Sequence, residues 1–362
     1  SSNSGNSSTS RPVTKPDGST VTTTTDKATG TVTVTTKRPD GSQRVEESRK
    51  DGTVVTTEKA ANGSTTQTIT FTDGSSDTAI NQSNGLSANI STDASGKSTG
   101  EVRLPAQLTG GSQAVSLPIP AVQVAYNSQN ASSLTLHTGR SYPVSVAIPT
   151  RTTSPGTVAV LMKADGSETV VKTSVIQNGS LVLDVPDGAC VKVLDNGKTF
   201  ADTNQHWARD AIAFTSARDL FSGTSTTAFT PDGPMGRDML MTVLARFDGV
   251  DTSGGSTWSE KGMAWAVANG ISDGSDPTGR ISREQLVTML YRYAGSPSVN
   301  SNQTLSFQDA AAISGYAQNA VRWAVSQGIL NGYNDGTLNP GGDTTRAQAA
   351  TIFMQYAQYL AR

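Results

Sequence analysis

Tyr316-Ala317-Gln318-Asn319-Ala320-Val321-Arg322-Trp323-Ala324-Val325-Ser326-Gln327-Gly328-Ile329-Leu330-Asn331-Gly332 holds the pattern around which the rest of the chain is organised. An aromatic opens it, a second aromatic follows at seven residues, an aliphatic at thirteen and a glycine at sixteen. Trp207, Phe214, Leu220 and Gly223 repeat those intervals, as do Trp258, Trp265, Ile271 and Gly274, so three segments superimpose without a gap. Self-similarity at fixed spacing marks a repeat architecture. Seven residues are two helical turns, so the two aromatics with Ile212, Met263 or Val321 between them make one apolar stripe on an amphipathic helix. Gly270 and Gly328 stand where a left-handed residue ends that helix. A second helix then opens on a small residue and an arginine: Gly236-Arg237, Ser282-Arg283, Thr345-Arg346. The helix dipole opposes arginine in a first turn, so its presence in all three copies implies a purpose beyond helix propensity.

Further residues complete the pattern. Phe200-Ala201-Asp202 and Phe307-Gln308-Asp309 open two copies, and Asn331-Gly332-Tyr333-Asn334-Asp335-Gly336-Thr337-Leu338-Asn339-Pro340 follows the third helix. The arginine boxes read Gly236-Arg237-Asp238-Met239, Ser282-Arg283-Glu284-Gln285 and Thr345-Arg346-Ala347-Gln348. With these residues the region 199–362 resembles the S-layer homology (SLH) domain of bacterial cell-surface proteins, in three tandem repeats at 199–249, 250–298 and 299–362. It departs from the family's Thr-Arg-Ala-Glu box at its fourth residue in every copy. The second copy lacks the Phe-x-Asp opening, and its gap from Gly274 to Arg283 is nine residues where the others have fourteen.

The resemblance implies an all-α domain with pseudo-threefold packing, whose grooves between copies bind secondary cell-wall polysaccharide, often pyruvylated, without a covalent link. Carried over residue by residue, it implies that Arg237, Arg283 and Arg346 hold an acidic group, that Asp202, Asp309, Trp207, Trp258 and Tyr316 shape the grooves, and that Gln348 lines one. The residues themselves point the same way: free N–H groups at a helix start and a bidentate arginine suit a carboxylate. Phe214, Trp265 and Trp323 are expected in the core, and Trp207, Trp258 and Tyr316 in core or groove. The third copy keeps the fullest set of motifs, so Arg346 is expected to matter more for binding than Arg283.

Ahead of the helices the chain is β-rich, giving a multidomain β-then-α fold. After a flexible linker at 1–10, Asp-Gly, Thr-Gly or Asn-Gly recurs about every eleven residues across 11–78, separated by runs such as Thr31-Val32-Thr33-Val34-Thr35-Thr36. Such dipeptides make two-residue hairpin turns and β-branched alternation makes strands, so this region is a β-meander. Phe71 is its only aromatic, which leaves either a single solvated layer or a Thr-rich flexible stalk. Residues 79–198 carry more apolar runs, among them Val115–Pro120, Tyr142–Ile148, Val158–Met162 and Leu181–Val185, and read as a β-sandwich-like domain.

Composition bounds the function. The 362 residues are 35% apolar and 16% charged with a net charge of −2, and show neither a basic nucleic-acid footprint nor a membrane-length apolar run. Cys190 is the single cysteine, which excludes an internal disulfide framework and is expected as a small buried residue. His137 and His206 have no metal-ligand partner at helical spacing, and no nucleophile elbow or phosphate loop is present. The opening Ser1-Ser2-Asn3-Ser4 fits a processed piece of a longer secreted protein. The expectation is a non-catalytic wall anchor outside a bacterial cell, without cofactor or metal, whose β-modules act as spacer or display. The alternative is an adhesin or filament subunit whose β-rich half makes the functional contacts.

Overall fold

A computed structural model describes residues 7–83, 85–96, 98–103, 115–116, 125–130, 133–137, 144–150, 154–162, 165–186, 189–300 and 303–361. The chain forms two compact units, Ser1–Arg151 with Gly179–Val191 and Thr152–Asn178 with Lys192–Arg362.

The first unit starts with β1 (Ser7–Thr9), β2 (Val13–Thr14), β3 (Thr20–Asp26), β4 (Val32–Lys37), β5 (Gln43–Ser48), β6 (Val54–Lys59), β7 (Thr65–Thr70), β8 (Ser76–Asn81), β9 (Ser87–Thr92) and β10 (Ser98–Arg103). From β3 to β10 each strand pairs antiparallel with the next. Every residue of β3 is half-buried, so neither face is covered and this part of the sheet is a single layer rather than a stalk. The turns differ from the two-residue form expected. Gly41 and Gly52 have φ of +87° while the aspartates before them do not enter the left-handed region, and Gly41 N–H donates to Arg38 O at 3.1 Å. A left-handed glycine after a tighter turn is the three-residue bulged hairpin. Asp40 Oδ1 accepts Ser42 N–H at 2.8 Å, and Asp51 Oδ1 accepts Thr53 N–H at 2.9 Å. The meander runs through residue 78 to β10, and Ser7–Thr9 of the expected linker pairs with β3, since an open sheet edge binds any compatible strand.

Beyond it, β11 (Val115–Ser116), β12 (Ala125–Asn130) and β13 (Ser133–His137) form an antiparallel set, while β14 (Val144–Pro149) lies parallel to β10. β14 also pairs with a strand across Ser180–Val185, where consecutive residues Leu181, Val182 and Leu183 are buried; both of its faces are therefore covered. Leu117–Pro120 and Tyr142-Pro143 lie outside the described residues. Cys190 is half-buried rather than fully buried.

The second unit holds β15 (Thr157–Met162), β16 (Glu168–Val170) and β17 (Val175–Gln177), then α1 (Arg209–Ala217), α2 (Arg237–Phe247), α3 (Glu260–Ala268), α4 (Arg283–Tyr293), α5 (Gln318–Ser326) and α6 (Arg346–Leu360). Gly270 (φ +67°) and Gly328 (φ +70°) end α3 and α5 as expected, and Asp219 (φ +53°) takes that conformation after α1. α3 packs on α2, α5 on α4 and α1 on α6, so each copy's first helix rests on the preceding copy's second and the set closes on itself. Backbone bonds close the same circle. Ile281 N–H donates to Met235 O at 2.9 Å, Thr344 N–H to Ile281 O at 2.9 Å, and Met235 N–H to Thr344 O at 2.8 Å. The core joins Phe221, Phe247, Trp323, Phe353 and Tyr356, with ring centroids 5.4–6.1 Å apart for Phe247–Tyr356, Phe221–Phe353, Phe247–Phe353 and Trp323–Tyr356. Each buried ring removes a large apolar area from water.

One side chain ties residues 152–178 to the helices at several points. Arg218 is 1% exposed, and its guanidinium donates to the carbonyls of Pro155, Thr157, Ser174 and Phe214 at 2.5–3.1 Å. Burial lowers its pKa to about 9, so at neutral pH a full charge sits among carbonyl dipoles. Val158 and Val160 pack on Ala217 beside it.

Candidate functional site

The helix-opening arginines are not presented to solvent as the sequence suggests. Arg283 and Arg346 are 5% and 7% exposed, and burial lowers the pKa of both. Each reaches into the loop of the next copy around the circle. Arg346 Nε and Nη2 donate to Phe229 O (2.9 Å) and Ser222 O (2.6 Å), with the guanidinium carbon 4.5 Å from the Phe229 ring centre. Arg283 Nε and Nη2 donate to Leu338 O and Asn331 O, both at 2.8 Å, over the Tyr333 ring. Arg237 Nε donates to Ser275 O at 3.0 Å, and its Nη2 lies 3.6 Å from an Asp273 carboxylate oxygen. The recurring arginine thus fastens copy to copy, a purpose invisible to local propensity.

The free N–H groups expected at these helix starts are also taken. Arg237, Arg283 and Arg346 N–H donate to Gly279, Gly342 and Gly233 carbonyls at 2.9–3.0 Å, and the next N–H of each helix binds Pro277, Pro340 or Pro231 O. Ser282 with Gln285 and Thr345 with Gln348 form capping boxes that engage the third N–H. No open anion cradle is left at these N-termini, because neighbouring copies supply the acceptors a ligand would have supplied.

Asp202 and Asp309 hold loops. Asp202 accepts Phe229 N–H at 2.9 Å and Thr230 N–H at 2.7 Å; burial works against its ionised form, but these bonds keep its pKa below the ordinary range. Asp309 accepts Leu338 and Asn339 N–H at 2.8 and 2.7 Å, and these bonds likewise lower its pKa. The phenylalanines two residues earlier explain the glycine at position sixteen. A Cβ on Gly223 would stand 2.6 Å from Phe200 Cε1, and one on Gly332 2.5 Å from Phe307 Cε1. The second copy has no such phenylalanine, and there Gly274 has φ +75°.

Trp207, Trp258 and Tyr316 are 66%, 54% and 56% exposed. They precede α1, α3 and α5 instead of lying on the helical stripe, and Trp207 and Trp258 line grooves while Tyr316 lines neither; Phe214 and Trp323 are buried as expected, whereas Trp265 is only half-buried against the core. Two grooves follow, each assembled from all three copies. One, about 500 Å³, joins Trp207 of the first copy, Arg283 of the second, and Asn331, Tyr333 and Gln348 of the third. Gln348 Nε2 donates to Tyr333 Oη at 2.8 Å, and Arg283 Nη1 has no hydrogen-bond partner among the described residues. The other, about 430 Å³, joins Trp258, Arg346 and Met239 with Ser222, Gly223 and Thr224, and is more apolar because Met239 stands where Gln348 stands in the first. Beside Tyr316, Glu284 accepts Tyr316 Oη at 3.1 Å and Ser314 Oγ at 2.7 Å. The third copy's loop therefore lies in the Arg283 groove and not in that of Arg346, although the sequence motifs associate it with Arg346. His206 lies next to Trp207, accepts Ala208 N–H on Nδ1 and bonds Asp232 through Nε2 at 3.2 Å.

The S-layer homology domain model matches residues 199–238 and 306–350. The unmatched middle is the copy without the Phe-x-Asp opening. The chain is 28% identical over 171 residues to an amylopullulanase of Thermoanaerobacterium thermosulfurigenes, covering 43% of this chain and 9% of that protein. It is 27% identical over 177 residues to exoglucanase XynX of Acetivibrio thermocellus, covering 44% of this chain and 16% of the relative. It is 32% identical over 92 residues to cell surface glycoprotein 1 of the same species, covering 25% of this chain and 4% of that one. The chain thus spans less than a fifth of the length of these relatives. The likeness to the two carbohydrate-active enzymes covers less than half of this chain. No helix among the described residues is long and apolar enough to cross a membrane. An S-layer homology match, shared with surface-protein relatives, marks this chain as a surface protein with a cell-anchoring segment, placed outside the cell at the wall or S-layer.

Proposed function

We propose that residues 199–362 hold the protein to the bacterial wall by non-covalent binding of an acidic secondary wall polysaccharide, pyruvylated or otherwise carboxylated. On this reading the three copies are related by a pseudo-threefold axis, and the β-rich region is spacer or display. The anchor itself is non-catalytic. One observation carries the reading: the groove in which exposed Trp207, the free Nη1 of Arg283 and the Gln348–Tyr333 pair converge from three copies. An indole face takes the apolar side of a sugar ring, a guanidinium N–H takes a carboxylate oxygen, and the amide and phenol take hydroxyls. Asp202, Asp309 and the buried parts of the arginines keep the walls in place.

Sedimentation of the whole chain with purified wall tests this. Trp207→Ala changes an exposed side chain, so it should leave the thermal melt in place while weakening wall binding about tenfold, the cost of a typical interface anchor. Arg283→Ala should weaken binding more than Arg346→Ala and also lower the melt, because Leu338 O and Asn331 O lose their donor. Binding by Trp207→Ala equal to the parent would remove this groove from the mechanism.

A further inference from the structure

The Arg283 groove contains a bond with a built-in chemical lifetime. Asn331-Gly332 is an asparaginyl-glycine pair, Asn331 is exposed, and Gly332 N–H has no hydrogen-bond partner among the described residues. The glycine cannot be exchanged away, since a Cβ there would meet Phe307 Cε1 at 2.5 Å and Thr337 O at 2.8 Å. Packing therefore fixes glycine after Asn331, and asparaginyl-glycine is the pair that cyclises most readily, because glycine offers no side chain to hinder attack by its own nitrogen. In two other pairs that nitrogen is engaged, Gly63 N–H donating to Ala60 O at 3.0 Å and Gly197 N–H to Asp195 Oδ1 at 2.8 Å, whereas Gly179 of the exposed hairpin pair Asn178-Gly179 also has no N–H partner among the described residues and serves as the positive control for conversion.

A second copy of the same position shows the consequence. Asp273-Gly274 occupies the place of Asn331-Gly332, and the Asp273 carboxylate lies 3.6 Å from Nη2 of Arg237, the arginine equivalent to Arg283. An acid at this position turns to the arginine of its own groove. We propose that Asn331 is a deamidation site whose conversion to an acid partly closes the Arg283 groove, giving it the internal carboxylate that the Arg237 position already has. The Gly332 nitrogen attacks Asn331 Cγ, the C–N bond to the side-chain amide breaks, and ammonia leaves a succinimide. Water then opens the ring to aspartate or isoaspartate, so amide plus water becomes acid plus ammonia. The new carboxylate competes with an acidic ligand for Arg283, and the isoaspartate branch also displaces the Asn331 carbonyl that accepts Arg283 Nη2. The effect on binding rests on the proposed function; the chemistry does not.

The whole chain, aged in mildly alkaline buffer, is peptide-mapped by mass spectrometry, and the aged forms are separated by charge before sedimentation with purified wall. Asn331 should convert ahead of Asn62 and Asn196, and the converted fraction, like Asn331→Asp, should bind wall roughly fivefold more weakly, the upper range for an exposed ion pair competing with ligand. Asn331→Gln should resist conversion. Asn331 persisting as an amide while Asn62 or Asn196 converts overturns the chemistry, and Asn331→Asp binding as tightly as the parent overturns the closure. A freshly prepared parent that fails to bind wall at all rejects the anchor reading, while the peptide map still decides the modification.

Discussion

Two kinds of repeat are built into this chain, and they end differently. In the meander each eleven-residue unit bonds only to the units before and after it, so a strand can be added at the edge without disturbing the rest. In the helical unit the third copy returns to the first, through α1 on α6 and the Met235–Thr344 bond, so the number of copies is closed. Open repetition gives length; closure gives composite places, because every groove takes residues from all the copies. A site of that kind has no counterpart in the sheet, where each residue's neighbours are its own strand and the two beside it.

The contrast breaks most visibly in the shared core. Phe353 is fully buried against Phe221 and Phe247. Phe353→Ala should cost about 3–5 kcal/mol and unfold the helices together. Hydrogen exchange should then show α1 to α6 opening as one body while β3 to β8 keep their protection; helices lost one pair at a time would mean that closure is not cooperative. Arg218→Ala comes next, at roughly 2–4 kcal/mol, since a buried hydrogen-bonded charge is removed from the carbonyls that surround it. A melt unchanged by Arg218→Ala would show that the packing of Val158, Val160 and Val175 holds residues 152–178 to the helices without it.

Acid sharpens the comparison at the loops. Asp309 has a lowered folded pKa, so its stabilising contribution is present above the unfolded carboxylate pKa and is lost as pH falls through the folded value. Acidification below the ordinary carboxylate range should therefore raise exchange at Leu338 and Asn339, and Asp309→Asn should remove that dependence. The smallest effect belongs to the sheet. Asp40→Ala deletes one exposed turn bond, to Ser42 N–H, and should shift the melt least of these changes. Faster exchange confined to the strands beside that turn is expected; a change reaching β8 would contradict nearest-neighbour stability.

Much of this was legible in the sequence, and the failures have a common cause. Glycines every eleven residues marked the meander, because only a left-handed turn demands glycine so regularly; the bulged form of the turn was missed because Asp-Gly serves both geometries. The buried second aromatics, Phe214 and Trp323, follow from helical period. Trp207, Trp258 and Tyr316 fitted the same period, yet each helix starts after its aromatic. The arginines were correctly singled out as unfavourable in a first turn, but their partners lie more than thirty residues away, and up to 124, in another copy.

The sequence by itself therefore determined the elements, their repetition and the list of residues too costly to be accidental, since propensity, turn conformation and period act within a few residues. Which copy shares a groove with which was decided only by tertiary structure. Arg283 meets the third copy's loop and Trp207, while Arg346 meets the first copy's loop and Trp258, because each helix start borrows its hydrogen-bond acceptors from the next copy around the circle. Spacing along one chain cannot encode that partnership: three copies of the same motif look alike until closure orders them in space.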